Sequence, residues 1–379
     1  MRPVYLDYNA TTPVDPLVTR ELLPYFDEVF GNPSSNHPYG QAAREAVELA
    51  RSRVATLLGC SSAEVIFTCG GTESNNHALI GFAFANRYRG NHIISTQIEH
   101  PAILAPLRWL ERHGFEVTLL PVDAAGRIDP AAVRRAITEQ TILVSVMHAN
   151  NEVGSIQPLT AIGEIAKEQG VTLHTDAAQS VGKISARVDE LRVDMLTVAG
   201  HKLYAPKGIG ALYVRSGVKI DCYLHGAGHE SGRRAGTENV PYVAALGKAA
   251  ELCGERLAGE EKRLSELRDR FHRLLEERAG EVLLNGHPTE RLPNTLNVSF
   301  AGVVGAELLS RAPEVAASTG SACHDGKGEL SGVLKAMGTA SEQGFGAVRF
   351  SLGRFTTAEA IDSAAQVIAE RVQKLRADK

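Results

Sequence analysis

Hydrophobic residues in the first two thirds of the chain alternate between short, nearly continuous apolar runs and amphipathic stretches. Continuous apolar runs are typical of strands that are buried on both faces of a sheet. Seven runs lie between residues 65 and 214, near Val65, His92–Thr96, Val117–Leu120, Ile142–Met147, Val171–Leu173, Met195–Val198 and Ala211–Val214. The pattern therefore predicts an α/β domain in which a mostly parallel seven-stranded sheet is flanked by helices.

Two helices are marked by an apolar stripe and by a glycine directly after it. The first stripe is Val47, Ala50, Val54 and Leu57, before Gly59; the second is Leu264, Leu267, Phe271 and Leu274, before Gly280. We predict that the second helix leads into a smaller C-terminal α+β domain. The large domain would then span residues 14–257, and the small domain would combine residues 1–13 with residues 258–379.

Composition narrows the range of functions. The 379 residues are 44% hydrophobic and carry a net charge of -4, which predicts a large core and no nucleic-acid or anionic-membrane partner. No apolar run approaches the roughly 20 residues of a spanning helix, and the N-terminus lacks a signal pattern, so we expect a cytoplasmic protein. The five cysteines form no CxxC pair or zinc spacing, which predicts free thiols and no metal site.

A lysine stands just after one predicted strand. The run Met195–Val198 leads into Gly200, His201 and Lys202, after which the chain turns into the next strand. Burial near apolar walls lowers the pKa of a lysine and exposes a nucleophilic amine, as Schiff-base chemistry with pyridoxal phosphate (PLP) requires. Taken alone, a lysine in a loop is more commonly an ordinary surface residue.

Other strand ends carry groups that complement such a lysine. Asp176 ends the run that begins at Val171, and a carboxylate there can pair with a pyridinium nitrogen, while the Gln179 amide can donate to the ring's phenolic oxygen. Asp176 is also suited to capping the segment after it. After the first strand, Gly71 and Thr72 open a helix whose amides and hydroxyl form a phosphate cradle.

The ordered motifs resemble PLP-dependent enzymes of the cysteine desulfurase and selenocysteine lyase family, within the aspartate-aminotransferase fold type. The matching segments are residues 5–13, 31–34, 70–74, 99–100, 148–154, 174–179, 200–202, 234–239, 320–323 and 349–354. The resemblance implies PLP as the cofactor and L-cysteine or L-selenocysteine as the substrate. It further implies a homodimer with shared active sites and a possible protein that accepts the sulfur.

The resemblance also assigns roles to residues. Lys202 would hold the cofactor and move protons, and His100 would stack on the ring as an acid or base. Arg349 would grip the substrate carboxylate with a bidentate fork. The implied cofactor contacts are Gly71, Thr72, His100, Asn151, Asp176, Gln179, His201, Lys202 and Thr237, of which Asn151 also contacts substrate and Thr237 reaches the neighbouring subunit. On the residues alone, His100 also suits a helix entry, and Arg349 an exposed strand position.

Cys323 carries the distinctive chemistry implied by the resemblance. It lies among small residues and glycines, the composition of a loop, and would attack the substrate sulfur to form a persulfide and leave alanine. A free cysteine also commonly packs as a small hydrophobe. Because Cys60, Cys69, Cys222 and Cys253 lack this setting, we interpret them as structural.

Two positions depart from the desulfurase pattern. Ala199 stands where many desulfurases have a serine that donates to the phosphate, and such a bond contributes roughly 1.5 to 3 kcal/mol. His324 follows Cys323, and together with the apolar residue at 199 it looks more like selenocysteine lyases.

We predict a PLP-dependent cysteine desulfurase, with selenocysteine lyase as the alternative. An aminotransferase of the same fold is disfavoured because it needs no cysteine loop. A non-catalytic sulfur-relay scaffold is disfavoured because it needs neither Lys202 nor Asp176.

Overall fold

The computed structural model describes residues 2–319 and 330–378. Its strands are β1 (Val4–Tyr5), β2 (Val65–Thr68), β3 (His92–Thr96), β4 (Glu116–Leu120), β5 (Thr141–Ser145), β6 (Thr172–Asp176), β7 (Met195–Ala199), β8 (Gly210–Val214), β9 (Val282–Asn285), β10 (Thr295–Phe300), β11 (Val315–Ala316) and β12 (Ala347–Ser351).

Its α-helices are α1 (Pro16–Leu22), α2 (Pro38–Leu58), α3 (Gly71–Asn76), α4 (Phe82–Ala85), α5 (Pro101–Glu111), α6 (Pro130–Ala136), α7 (Leu159–Gln169), α8 (Val188–Leu191), α9 (Val240–Ala279), α10 (Gly305–Ser310), α11 (Gly332–Ala336), α12 (Ser341–Phe345) and α13 (Ala358–Ala377). A π-helical segment, His77–Gly81, joins α3 to α4. Short 3₁₀ turns occupy Leu23–Tyr25, Ser62–Glu64, Gly200–Lys202 and Glu230–Gly232.

The seven predicted strands form one sheet in the order β2-β8-β7-β6-β5-β3-β4. Pairings are parallel from β7 across to β4, whereas β8 is antiparallel to both of its neighbours. This confirms the predicted mostly parallel sheet. The expectation that every strand is buried on both faces is wrong for the edge strand β4, in which only Leu120 is buried and Leu119 is 39% exposed, although β2 at the opposite edge is buried throughout.

The two largest hydrophobic cores of the described residues lie in different parts of the chain. The first packs the sheet against α2, α7 and the N-terminal half of α9. The second joins the C-terminal half of α9 with α13 and the antiparallel sheet β12-β10-β9. Leu6 belongs to the second core, and β1 pairs with β11, so the first residues pack with the C-terminal part. The division at residues 257 and 258 stays a prediction, because α9 crosses it without a break.

Both predicted helix ends coincide with glycines in left-handed backbone. Gly59 caps α2 with φ of 70°, and Gly280 follows α9 with φ of 64°. A side chain is strained at such angles, so glycine terminates each helix at low cost. Across residues 2–319 and 330–378, the structure has no helix both long and apolar enough to cross a membrane.

The direction of the strands brings the strand ends that carry the predicted polar residues to one edge of the sheet. Since β8 alone runs against the others, the carboxyl ends of β2, β7, β6, β5 and β3 all meet at one edge. Ligands of α/β sheets bind at this edge. The segments that follow these strands therefore form the site described next.

Candidate active site

A cavity of about 380 Å³ opens at the carboxyl edge of the sheet. Its walls combine strand-end residues with residues of the N-terminal segment and of β12. The lining residues are Asn9, Ala10, Gly71, Thr72, Asn75, His100, Ala102, Met147, Ala149, Asn151, Asp176, Ala178, Gln179, Ala199, His201, Lys202 and Arg349. The cavity thus brings together every site residue predicted from the sequence except Thr237 and Cys323.

Lys202 ends the 3₁₀ turn that follows β7, and its amine faces the N-terminal segment. The Nζ atom donates to the carbonyl oxygen of Asn9 and, at 3.0 Å, to that of Ala10. Burial and, to a smaller extent, the nearby Arg349 guanidinium lower the pKa of Lys202 to about 8, against the opposite effects of Asp176 and Asp7. The amine is therefore easier to deprotonate than a surface lysine.

Asp176 is the last residue of β6 and is 7% exposed. One carboxylate oxygen accepts from the Ala178 amide at 2.9 Å, and the other accepts from Asn75 Nδ2 at 2.8 Å. The first contact is the capping that the sequence allowed, although it caps a turn and not a helix. Each oxygen keeps a lone pair for a further donor in the cavity.

His100 occupies the helix entry that its sequence position allowed and also lines the cavity. It is the N-cap of α5, and its Nδ1 atom accepts from the Ala102 amide at 3.0 Å. Burial lowers the pKa of His100, and the charge of Lys202 acts in the same direction, whereas Asp176 raises it. A neutral imidazole that accepts at Nδ1 carries its proton on Nε2, so His100 can offer an N–H to the cavity.

The turn after β2 provides a backbone cradle. Gly70 has φ of 149°, a conformation that side chains rarely adopt, and α3 begins at Gly71. A Cβ atom on Gly71 would lie 3.2 Å from the Ala199 Cβ, so β7 packs directly beneath the turn. The helical run continues to residue 85, and its amide dipoles therefore point at the cavity wall near Thr72.

His201 lies beside this cradle and is held from the N-terminal segment. Its Nδ1 atom lies 3.2 Å from the Thr11 hydroxyl oxygen. Burial, together with the nearby charges of Lys202 and Lys207, lowers the pKa of His201 to about 4. The ring is therefore neutral at physiological pH and binds an anion only as a hydrogen-bond donor.

Arg349 lies on β12 and points across the cavity. Its Nη1 atom donates to the Asn151 carbonyl oxygen at 3.0 Å, and Nη2 pairs with Asp7 Oδ1 at 2.8 Å. The buried Nε atom has no partner within residues 2–319 and 330–378. The side chain is 9% exposed, so the alternative of an exposed strand arginine is wrong.

Sequence reasoning gave no role to two cavity residues, Asn75 and Asn9, or to Asp7, which pairs with the cavity residue Arg349. Asn75 follows Gly71 by four residues and shares its helical face, so the position predicts it. Asn9 lies in a motif that was recognised, yet it received no role. Asp7 meets Arg349 from a distance of 342 residues, and no local pattern predicts that contact.

Several predicted residues lie elsewhere. Thr237 is exposed, precedes α9 and is not among the residues that line this cavity. Cys323 and His324 lie outside the described residues. Cys69 is exposed and directly follows β2, and the interpretation of it as a structural thiol stays a prediction.

The chain was also compared with known proteins. The family model described as aminotransferase class-V matches residues 4–363. The cysteine desulfurase IscS of Dictyoglomus turgidum is 48% identical over 377 residues, covering 99% of this chain and 96% of the relative. That of Methanosarcina thermophila is 49% identical and covers 99% and 93% respectively.

Solved structures of similar proteins have the same fold over almost the whole chain. A NifS-like protein superposes with a TM-score of 0.92 at 36% identity, covering 98% of this chain and 100% of its own. SspA in complex with cysteine gives a TM-score of 0.82 at 36% identity, covering 93% and 99%. These matches confirm the family and fold predicted from the motifs. The chain belongs to the class-V aminotransferase family, in the group of the cysteine desulfurases.

Proposed function

We propose that this protein is a cysteine desulfurase that uses PLP to convert L-cysteine to L-alanine and an enzyme-bound persulfide. The observation that carries the proposal is the shared cavity of Lys202, Asp176 and Arg349. A lysine of lowered pKa, a buried carboxylate and an arginine with an unpartnered donor surround one space of about 380 Å³. An amino acid and an aromatic cofactor require complementary groups of these kinds.

The donor set fits PLP. Lys202 would hold it covalently, Asp176 offers lone pairs to a ring N–H, and Gln179 is within the same wall. The cradle at Gly71 and Thr72 and the neutral ring of His201 would bind the phosphate, without the serine donor that Ala199 replaces. When bound, PLP supplies an electron sink for the substrate's α-carbon.

The protein's own residues would orient the substrate and carry its protons. Arg349 would hold the carboxylate, because each Nη atom has two N–H groups and makes one of the hydrogen bonds to Asn151 and Asp7. Lys202 is suited to taking up and returning a proton, since its pKa is lowered to about 8. His100, with its proton on Nε2, is a second donor in the cavity.

Cys323 would be the nucleophile that attacks the substrate sulfur. The described chain before it ends close to the site, since Ser318 and Arg349 exchange backbone hydrogen bonds of 2.7 and 3.2 Å. Cys323 is five residues further on, so covalent geometry limits its Cα to roughly 17 Å from that of Ser318. On the C-terminal side of Cys323, the Ser331 hydroxyl donates to the Glu152 carboxylate. The short chain distance between Cys323 and Ser318 therefore supports the role that the motif implies.

Three wider proposals follow from the same reasoning. We propose a homodimer, because the exposed Thr237 is available to reach a neighbouring subunit's phosphate. A cytoplasmic location is supported by Cys60, Cys69, Cys222 and Cys253, which are all unpaired. A separate sulfur acceptor is expected because a persulfide on Cys323 must be discharged before the next turnover.

One assay tests the reaction. Purified protein with added PLP is given L-cysteine and L-selenocysteine in parallel, and alanine, sulfide and selenide are measured for wild type, Cys323→Ala and the control Cys60→Ala. Wild type and the control should form alanine from cysteine, and Cys323→Ala should not. Selenide release should partly survive in Cys323→Ala, since a selenol has a lower pKa and a weaker bond to carbon.

Two results would contradict the proposal. Turnover of selenocysteine alone by wild type would favour the selenocysteine lyase alternative. Full desulfuration of cysteine by Cys323→Ala would show that another residue handles the sulfur.

A further inference from the structure

A second lysine lies behind the cavity and is buried. Lys183 is 8% exposed, although it follows a tight turn in which its amide donates to the Ser180 carbonyl at 2.9 Å. Such turns usually place a lysine in solvent. Its Nζ atom donates to Gln179 Oε1 at 2.8 Å and to Asn9 Oδ1 at 3.1 Å. Both acceptors belong to residues that line the cavity.

The contacts of Lys183 match an uncharged amine. Burial lowers its pKa well below the usual value, and the charges of Lys202 and Arg349 act in the same direction, against a weaker opposite effect of Cys253. A neutral amine has two N–H groups, and the structure supplies two acceptors. An ammonium would leave one buried donor without a partner, which is costly.

Lys183 also determines which way the Gln179 amide points. With Oε1 taken by the lysine, Nε2 donates to the Asn9 carbonyl oxygen at 3.0 Å and keeps a second hydrogen for the cavity. The flipped amide would place Oε1 against that carbonyl, where two lone pairs repel. The same carbonyl accepts from Lys202, so one oxygen aligns both Gln179 and Lys202.

Asn9 extends the network to the C-terminal sheet. Its Oδ1 atom accepts from Lys183 and, at 3.0 Å, from Asn294, while its Nδ2 atom donates to Thr295 Oγ1 at 2.8 Å. Asn9 is 1% exposed. Buried networks with all members satisfied hold a single geometry. The donors of the cavity are therefore held by Asn9, which is itself fixed by Asn294 and Thr295 outside the cavity lining.

We propose that Lys183 is a positioning residue for the reaction: as a buried neutral amine, it orients the Gln179 amide so that Nε2 donates into the cofactor site. The inference rests on the proposed function. Lys183 acts through Gln179 and has no direct contact with the reacting groups.

The test compares Lys183→Met, Gln179→Met and the double variant with Lys167→Met, which removes an exposed lysine. PLP is titrated into each apo protein, and its dissociation constant and the absorbance maximum of the bound form are measured, followed by kcat and KM. We expect Lys183→Met to weaken PLP binding about 3- to 10-fold and to shift the absorbance maximum, as loss of one hydrogen bond to the ring would do. Lys167→Met should match wild type.

The double variant separates positioning from a general structural role. If Lys183 acts through Gln179, the double variant should bind PLP no more weakly than Gln179→Met. Additive losses, or a Lys183→Met protein with the absorbance maximum of Lys167→Met, would overturn the inference. If Lys183→Met does not fold, a Gln179→Met protein with the wild-type absorbance and affinity would overturn it equally. The proposed function is tested separately, by whether the wild-type protein turns over cysteine, so its failure can be distinguished from failure of the inference about Lys183.

Discussion

Replacement of Arg349 by lysine tests how the cavity selects an amino acid. The guanidinium already holds the Asn151 carbonyl at 3.0 Å and Asp7 at 2.8 Å, and its buried Nε atom has no partner among the described residues. A lysine preserves the charge, but its single nitrogen cannot serve Asp7 and a substrate carboxylate with fork geometry.

The expected loss is one charge-assisted hydrogen bond to the substrate. Such bonds contribute about 1.5 to 3 kcal/mol, which corresponds to a decrease in kcat/KM of roughly 10- to 150-fold. Because the carboxylate does not react, the contact is present in the ground state and in the transition state alike. The loss should therefore fall mainly on KM.

Steady-state alanine formation from L-cysteine would be measured for wild type, Arg349→Lys and Arg270→Lys. The control removes an exposed guanidinium that pairs with Asp362 on α13 at 2.6 Å, and it should leave both constants unchanged. The absorbance of the bound cofactor checks that the site is intact. An unchanged KM in Arg349→Lys, or a loss confined to kcat, would refute the assignment of Arg349 to the carboxylate.

Three further predictions concern the cofactor residues. Lys202→Ala should bind PLP only non-covalently, so the absorbance of the lysine-linked cofactor and all alanine formation disappear, and any remaining turnover would contradict the role. Asp176→Asn should retain PLP but lose most alanine production, since a neutral amide cannot hold a ring proton; near wild-type rates would leave Asp176 as a turn cap only. Finally, the pKa of Lys202 is lowered to about 8 in the folded protein, so the unfolded chain binds more protons between about pH 8 and 10.5. The stability of the apo protein should rise through that window by about 1 kcal/mol per pH unit relative to Lys202→Met, as measured by urea unfolding at pH 7.5 and 9.5, and a constant difference would refute the shift.

The sequence was most informative where the physics is local. Apolar runs located all seven strands of the sheet because burial on both faces leaves a continuous pattern; β4 is the exception, since only Leu120 of its five residues is buried. Gly59 and Gly280 marked helix ends because each takes a left-handed backbone conformation. The strand-end positions of Asp176 and Lys202 followed from the same pattern, since parallel strands end at one edge.

The remaining features depend on long-range contacts that leave no periodic signal. Lys183 follows a turn and would be expected in solvent, but Asn9, from 174 residues away, supplies one of its acceptors. The pairing of Asp7 with Arg349 likewise arises from the N-terminal segment crossing the site.

The long helix α9 connects the two largest hydrophobic cores without a break. Its 40 residues, about 60 Å in length, contribute buried side chains to one core up to Cys253 and to the other from Leu264. Residues 254–263 are buried in neither, and they include Gly254 and Gly259, which reduce helix stiffness. A bend of about 5° there would displace Ala279 by about 2.6 Å, given 1.5 Å per residue. A small change of helix angle at residues 254–263 would therefore displace the C-terminal end of α9 by ångströms.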